Sequence, residues 1–222
     1  MTPDQHQSTV LASLRQLKVV PVLVVERVEF AVPLADALIE GGLPIAEVTF
    51  RTRHAADVIC RIRAERLNVT VGAGTVLSVE DLMRAFEAGA MFGVAPGLNR
   101  TVAADARDMQ FPFFPGVMTP SDIESALSLG FRMLKFFPAA AAGGVAMLKS
   151  LVAPYAHLGV EFIPTGGINL SNLRLYLDGP HVAAVGGTWI ASAEDISRQA
   201  WGEISNRCRV VHQHIFETID KL

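Results

Sequence analysis

Short apolar runs recur along the chain, each followed by a turn signal and then by a stretch in which apolar residues return every three or four positions. Runs at 19–25, 45–50, 69–73, 91–95, 112–115, 132–137, 160–164 and 182–186 predict eight strands. Between them, 30–40 carries Ala31, Leu34, Ala35, Leu38 and Ile39 at helical spacing, and 55–65, 79–88, 120–129 and 145–152 read the same way. Residues 4–17 predict an additional leading helix, and the last segment predicts a C-terminal one. Strands alternating with helices over this length fit an α/β chain of the (β/α)8 TIM barrel type, with an extra N-terminal helix, better than an open doubly wound sheet. The open sheet remains the architectural alternative. Its nucleotide-binding form has no support, because no GxGxxG follows the first run and no GxxxxGK[ST] occurs.

Glycine and proline punctuate the chain evenly, without a Ser/Gly linker or charge block, so residues 1–222 are read as one domain. Half of the residues are apolar and 18% charged, enough to bury a core and too apolar for disorder. A formal charge of −3 carries no basic excess of the kind that neutralises a phosphate backbone, so nucleic acid is not an expected partner. No signal pattern and no membrane-length apolar run is present, which predicts a cytoplasmic protein with no membrane partner. Cys60 and Cys208 are expected to be buried or half-buried thiols, not a disulfide framework.

Lysine is scarce. Lys18, Lys149 and Lys221 fall at ordinary solvated positions, but Lys135 interrupts the apolar run of the sixth strand, where burying an ammonium is costly. Desolvation there favours a neutral amine, the nucleophile that Schiff-base chemistry on a carbonyl requires. A lysine snorkelling from a strand end, or paired with a buried carboxylate, fits the same feature equally well. In the second strand, Glu47, Thr49 and Arg51 share one face because strand side chains alternate, while Ala46, Val48 and Phe50 share the other. A carboxylate beside that amine would shuttle protons, and Arg51 would grip a substrate carboxylate in a bidentate manner. A structural Glu–Arg pair sealing a barrel end is the competing reading.

Two glycine turns, Thr165-Gly166-Gly167 and Gly186-Gly187-Thr188, end the seventh and eighth strands, where barrels commonly hold phosphate. Their backbone N–H groups can approach an anion closely, and each turn is expected to open into a helix whose N-terminus favours negative charge. Gly72-Ala73-Gly74-Thr75 and Ala95-Pro96-Gly97 are placed on the same rim. The six histidines are scattered without ligand spacing, so no metal is assigned, and no GxSxG elbow is present.

Taken in order, Glu47-Val48-Thr49-Phe50-Arg51-Thr52, Gly72-Ala73-Gly74-Thr75-Val76, Pro96-Gly97, the stretch from Pro115 to Pro120, Leu134-Lys135-Phe136-Phe137-Pro138-Ala139, Pro164-Thr165-Gly166-Gly167-Ile168 and Gly186-Gly187-Thr188-Trp189 resemble the 2-keto-3-deoxy-6-phosphogluconate (KDPG) aldolases, which often also cleave 4-hydroxy-2-oxoglutarate (KHG). The resemblance covers nearly the whole chain. It implies a homotrimeric class I aldolase without metal or cofactor, in which Lys135 forms the Schiff base and Glu47 is the general acid/base. It further implies that Arg51 and Thr75 hold the pyruvate end, that Pro96, Phe137 and Thr165 surround the substrate, and that Gly166, Gly167, Gly187 and Thr188 take the phosphate. Ala140, Ala142 and Thr188 stand where the family commonly has glutamate, asparagine and serine. An aldolase for another 2-keto-3-deoxy acid, such as a 6-phosphogalactonate analogue, and a non-catalytic phosphometabolite-binding barrel are the alternatives.

Overall fold

A computed structural model describes residues 2–179 and 181–216. The elements run α1 (Pro3–Leu17), β1 (Val19–Leu23), α2 (Ala31–Glu40), β2 (Ile45–Thr49), α3 (Ala55–Glu65), β3 (Thr70–Gly74), α4 (Val79–Glu87), β4 (Gly93–Val94), α5 (Arg100–Asp108), β5 (Phe113–Phe114) and β6 (Gly116–Val117). They continue with α6 (Pro120–Ser128), β7 (Met133–Phe136), α7 (Gly144–Val152), β8 (Glu161–Pro164), α8 (Leu173–Leu177), β9 (Val185–Gly187), α9 (Ala193–Ser197) and α10 (Trp201–Phe216). Every strand pairing is parallel, in the orders β5-β4-β3-β2-β1-β9 and β6-β7-β8. Parallel bridges Phe162↔Val182 and Thr165↔Gly186 link the β8 side to the β9 side. The fold is α/β with a curled parallel sheet.

The expected fifth strand, 112–115, is two short pieces and reaches further along the chain. Pro115 has no N–H to donate to a ladder, so β5 pairs with β4 before it and β6 pairs with β7 after it. The Pro115 carbonyl still accepts from the Lys135 N–H at 2.9 Å. Helix α5 had no strong sequence signal, because its buried residues are only Val102, Ala103 and Ala106.

Strand alternation divides the core. Outward-facing Leu23, Ala46, Val48, Val71, Leu134, Phe136 and Phe162 pack under the helices. Inward-facing Val20, Ile45, Phe92, Phe114, Met133, Ile163 and Ala184 form a second cluster inside the curl, completed by Val10 and Leu14 of α1. Helix α1 therefore lies across the N-terminal ends of the strands. Its start is fixed by a capping box between Thr2 and Gln5, and its end by Lys18 at φ 64°. Burying Val10 and Leu14 contributes about 1.5–3 kcal/mol each, enough to seat the helix. Gly72 is required at its inward position, where a Cβ would stand 2.4 Å from the Phe92 ring.

Cys208 is buried, as expected, but Cys60 is exposed. Ala55, Val58, Ile59 and Ile62 take the inner face of α3, which turns residue 60 outward. Lys221 lies outside the described residues. Among those residues no helix is long and apolar enough to cross a membrane, and no group of three or more His, Cys, Asp or Glu is placed to hold a metal ion.

Candidate active site

The C-terminal ends of the strands open into a cleft of about 150 Å³. Glu47, Arg51, Thr75, Pro96, Lys135, Phe137, Thr165, Gly166, Gly167, Gly187 and Thr188 all line it, so the whole set of candidate residues converges on one place. Val22, Thr49 and Ile168 complete the wall. Val22 and Ile168 carry no sequence signal, since nothing separates them from other core aliphatics before the strands are paired.

Lys135 and Glu47 sit at the floor, 5% and 3% exposed. The Lys135 Nζ donates to Glu47 Oε1 at 3.1 Å, and lies 5.7 Å from the centre of the Phe137 ring. Register brings them together: Glu47 is opposite Gly72 of β3, Lys135 opposite Ile163 of β8, and both point into the curl. Gly74 makes room for the carboxylate, because a Cβ there would be 2.3 Å from Glu47 Oε1. Glu47 thus pairs with Lys135, not with Arg51.

Thr49 keeps the same face as Glu47, but its hydroxyl donates to the Leu23 carbonyl at 2.9 Å and ties β2 to β1. Arg51, one alternation further, is exposed at the rim and makes no ion pair among the described residues. Its guanidinium is free to meet an anion. Thr75 has φ 57°, an uncommon conformation for a β-branched residue. Strain of that kind marks functional segments. The Thr165 hydroxyl donates to the carbonyl of Ile163, two residues back, at 3.3 Å, and Gly186 is needed beside it because a Cβ would be 2.4 Å from Thr165 Oγ1.

Gly166 and Gly167 have φ of 100° and 74°, so this turn requires glycine. A Cβ on Gly167 would also stand 2.5 Å from that of Ala140, whose N–H donates to the Gly166 carbonyl at 3.0 Å. Ala140, one of the three departures, is therefore packed on this turn. The expectation that each glycine turn opens directly into a helix is corrected: α8 begins only at Leu173 and α9 only at Ala193. Asn169 and Asn172 intervene after the first turn. Asn169 Oδ1 accepts from the Ser171 N–H and hydroxyl, Asn172 Oδ1 accepts from the Asn169 N–H, and Asn172 Nδ2 donates to the Gly167 carbonyl at 3.0 Å. Such side chains satisfy the backbone locally and delay the helix. Any anion here is met by loop N–H groups, not by a helix terminus.

A larger cavity of about 410 Å³ lies at the opposite ends of the strands, beside α1. Its ionic groups are exposed or half-buried, Arg15 being paired with Glu161, and its lining holds no buried amine or carboxylate. Size alone does not select the site; the buried pair does.

Residues 10–207 match the family described as "Aldolase: KDPG and KHG aldolase". The chain is 45% identical over 202 residues to the 2-dehydro-3-deoxy-phosphogluconate aldolase of Haemophilus influenzae, covering 91% of this chain and 94% of that one. It is 40% identical over 191 residues to the KHG/KDPG aldolase of Escherichia coli, covering 86% and 89%. Among solved structures, the KDPG aldolase of Legionella pneumophila, with pyruvate captured at low pH as a covalent carbinolamine intermediate, superposes with a TM-score of 0.87 at 38% identity, covering 91% of this chain and 97% of that one.

Proposed function

This chain belongs to the KDPG and KHG aldolase family, and on that premise we propose that it cleaves 2-keto-3-deoxy-6-phosphogluconate to pyruvate and D-glyceraldehyde 3-phosphate through a Schiff base on Lys135. It is an aldolase, a carbon–carbon lyase. The observation that carries the assignment of roles is the buried Lys135–Glu47 pair, 3.1 Å apart at the floor of a cleft lined by every other candidate residue.

In this reading the Lys135 nitrogen adds to the substrate's keto carbon as its proton passes to Glu47, and the carbonyl oxygen takes a proton to give a carbinolamine. Glu47 returns its proton to that hydroxyl, which leaves as water, and an iminium remains beside the carboxylate. Glu47, now a base, removes the proton of the hydroxyl on the carbon to be split off. The carbon–carbon bond breaks, its electron pair flows into the iminium, and an enamine and an aldehyde result. Protonation of the enamine carbon and addition of water release pyruvate and the free amine. The iminium nitrogen is the electron sink, the part a divalent cation plays in other aldol cleavages. Arg51 and Thr75 take the carboxylate and keto end. Pro96, Phe137 and Thr165 flank the chain of the substrate, and Gly166, Gly167, Gly187 and Thr188 receive the phosphate.

The curl is a complete eight-stranded barrel with α1 as its added N-terminal helix, a closure supported by the pairing of β5 and β6 on either side of Pro115 and by the bridges between the β8 and β9 sides. Residues 1–222 form one domain, working as a homotrimer in the cytoplasm. Light scattering at low micromolar concentration tests the trimer, and a monomer mass refutes it. The name of the Escherichia coli relative favours a second substrate, 4-hydroxy-2-oxoglutarate, split to pyruvate and glyoxylate.

Borohydride reduction in the presence of pyruvate, followed by peptide mass spectrometry, tests the central claim. A reduced pyruvyl adduct on Lys135 is expected; its absence, or an adduct elsewhere, overturns the mechanism. Near-equal kcat/KM for phosphorylated and unphosphorylated substrates would overturn the phosphate assignment.

A further inference from the structure

The segment that leaves β9 carries Gly187 and Thr188 into the cleft, yet Thr188 itself is exposed and makes no hydrogen bond within the described residues. What fixes this turn lies behind it. The Trp189 ring is folded back on Gly187, where a Cβ would meet Cζ3 at 1.7 Å and Cε3 at 2.0 Å. Its indole N–H is buried and has no partner, so packing and not hydrogen bonding sets the ring there. The next hold is Arg207 of α10, whose Nη1 donates to the Trp189 carbonyl at 3.2 Å, to the Ile190 carbonyl at 2.9 Å and to Asp195 Oδ2 at 2.7 Å.

Asp195 in turn orients the guanidinium. Its carboxylate, within a 6% exposed residue, accepts from the Ser192 hydroxyl at 2.6 Å and from Arg198 Nη2 at 2.8 Å. The Ser192 and Asp195 backbones are joined to those side chains in the capping box that starts α9. One guanidinium nitrogen thus clamps the two carbonyls immediately after Thr188 to a carboxylate that is itself held from three directions. Neither Arg207 nor Asp195 lines the cleft.

We infer that Arg207 and Asp195 are positioning residues for the phosphate half of the site, holding the Gly187–Thr188 turn in register through the carbonyls of Trp189 and Ile190, and that they leave the pyruvate half untouched. The inference rests on the phosphate reading given above. Geometry separates the two halves: Lys135 and Glu47 stand on β7 and β2, while the clamp reaches only the segment after β9.

The test compares two probes in Arg207→Met, Arg207→Lys and Asp195→Asn. Inhibition of substrate cleavage by inorganic phosphate reads the turn, and the rate of borohydride trapping with pyruvate reads Lys135. Loosening a binding segment by about 1 Å costs up to about 10²-fold, so the phosphate inhibition constant is expected to rise about tenfold to 10²-fold in Arg207→Met and Asp195→Asn. Trapping by pyruvate stays within about twofold of the wild type, and KM for the phosphorylated substrate rises more than kcat falls. Arg207→Lys, with three donors on a single nitrogen, recovers part of the loss. Equal loss of both probes would make the clamp a general structural support and overturn the inference, as would no change in either. If Arg207→Met does not fold, Asp195→Asn, which keeps the side chain's shape, decides by the same criteria. A wild-type enzyme insensitive to phosphate would overturn the underlying phosphate reading itself, before any variant is made.

Discussion

The Lys135–Glu47 pair offers a quantitative test, because it is an ion pair buried at the floor of the cleft. At 3.1 Å and an effective dielectric of about 20, opposite unit charges attract by about 5 kcal/mol. Removing both from water costs several kcal/mol per ion, so the pair as a whole contributes little against an uncharged replacement. Removing one partner is a different matter, since it leaves a single charge buried at the floor of the cleft. Lys135→Met strands the carboxylate and Glu47→Gln strands the ammonium, and each is expected to lower unfolding stability by about 3 kcal/mol. The double variant is expected to recover most of that loss, giving a coupling energy of about 3–5 kcal/mol. Urea denaturation at one fixed protein concentration, followed by circular dichroism, supplies the four stabilities of the cycle. All three variants are expected to lose turnover, so activity alone does not discriminate. A coupling energy below about 1 kcal/mol would refute the reasoning, because it would mean that the amine and carboxylate are not held as a buried charged pair.

Three further outcomes follow from the geometry. Gly74→Ala places a Cβ 2.3 Å from Glu47 Oε1 and is expected to displace the carboxylate, lowering kcat by at least tenfold and stability by about 1–3 kcal/mol; unchanged kcat would show that Glu47 does not need its place beside Lys135. Burial pushes the Cys208 thiol up to about 12 while Cys60 is exposed, so a thiol reagent at pH 8 is expected to modify one cysteine per native chain and both after unfolding; native modification of Cys208 would contradict its packing. Hydrogen bonds from Arg207 and Ser192 hold the Asp195 carboxyl well below the usual carboxylate range. Its contribution to stability is therefore complete above the unfolded value of about 3.9 and is lost as pH falls below it toward the folded one. The stability difference between wild type and Asp195→Asn is expected to be flat from pH 7 to pH 5 and to shrink below pH 4; a gap that shrinks already between pH 7 and pH 5 would contradict the lowered carboxyl.

Period-two alternation in 45–49 was sufficient to put Glu47 and Thr49 on one face and Ala46 and Val48 on the other, because that relation needs nothing beyond the pleat of a single strand, while Arg51 lies past the strand's end and still lines the same cleft. The one lysine inside an apolar run was visible for the same reason: a charge among aliphatic and aromatic neighbours stands out in one dimension. Glycines at 166 and 167 announced a turn, and the turn uses the left-handed backbone that glycine permits. These readings concern what a residue does to its own few neighbours in the chain.

Which carboxylate meets Lys135 was another kind of question. Glu47 is 88 residues away, and before the strands are paired Arg51 was as good a partner for it. The curl of the sheet, which sets β2 and β7 across from each other, and the missing Cβ at Gly74 decide it. The Asn169 and Asn172 turns that hold α8 away from the cleft, and the Arg207 clamp on the carbonyls after Thr188, were equally unreadable in sequence. Each depends on where a backbone carbonyl ends up once distant elements have packed, and every residue carries that same group. Side-chain chemistry is written along the chain; the distances that make it act are set by the packing of one element on another.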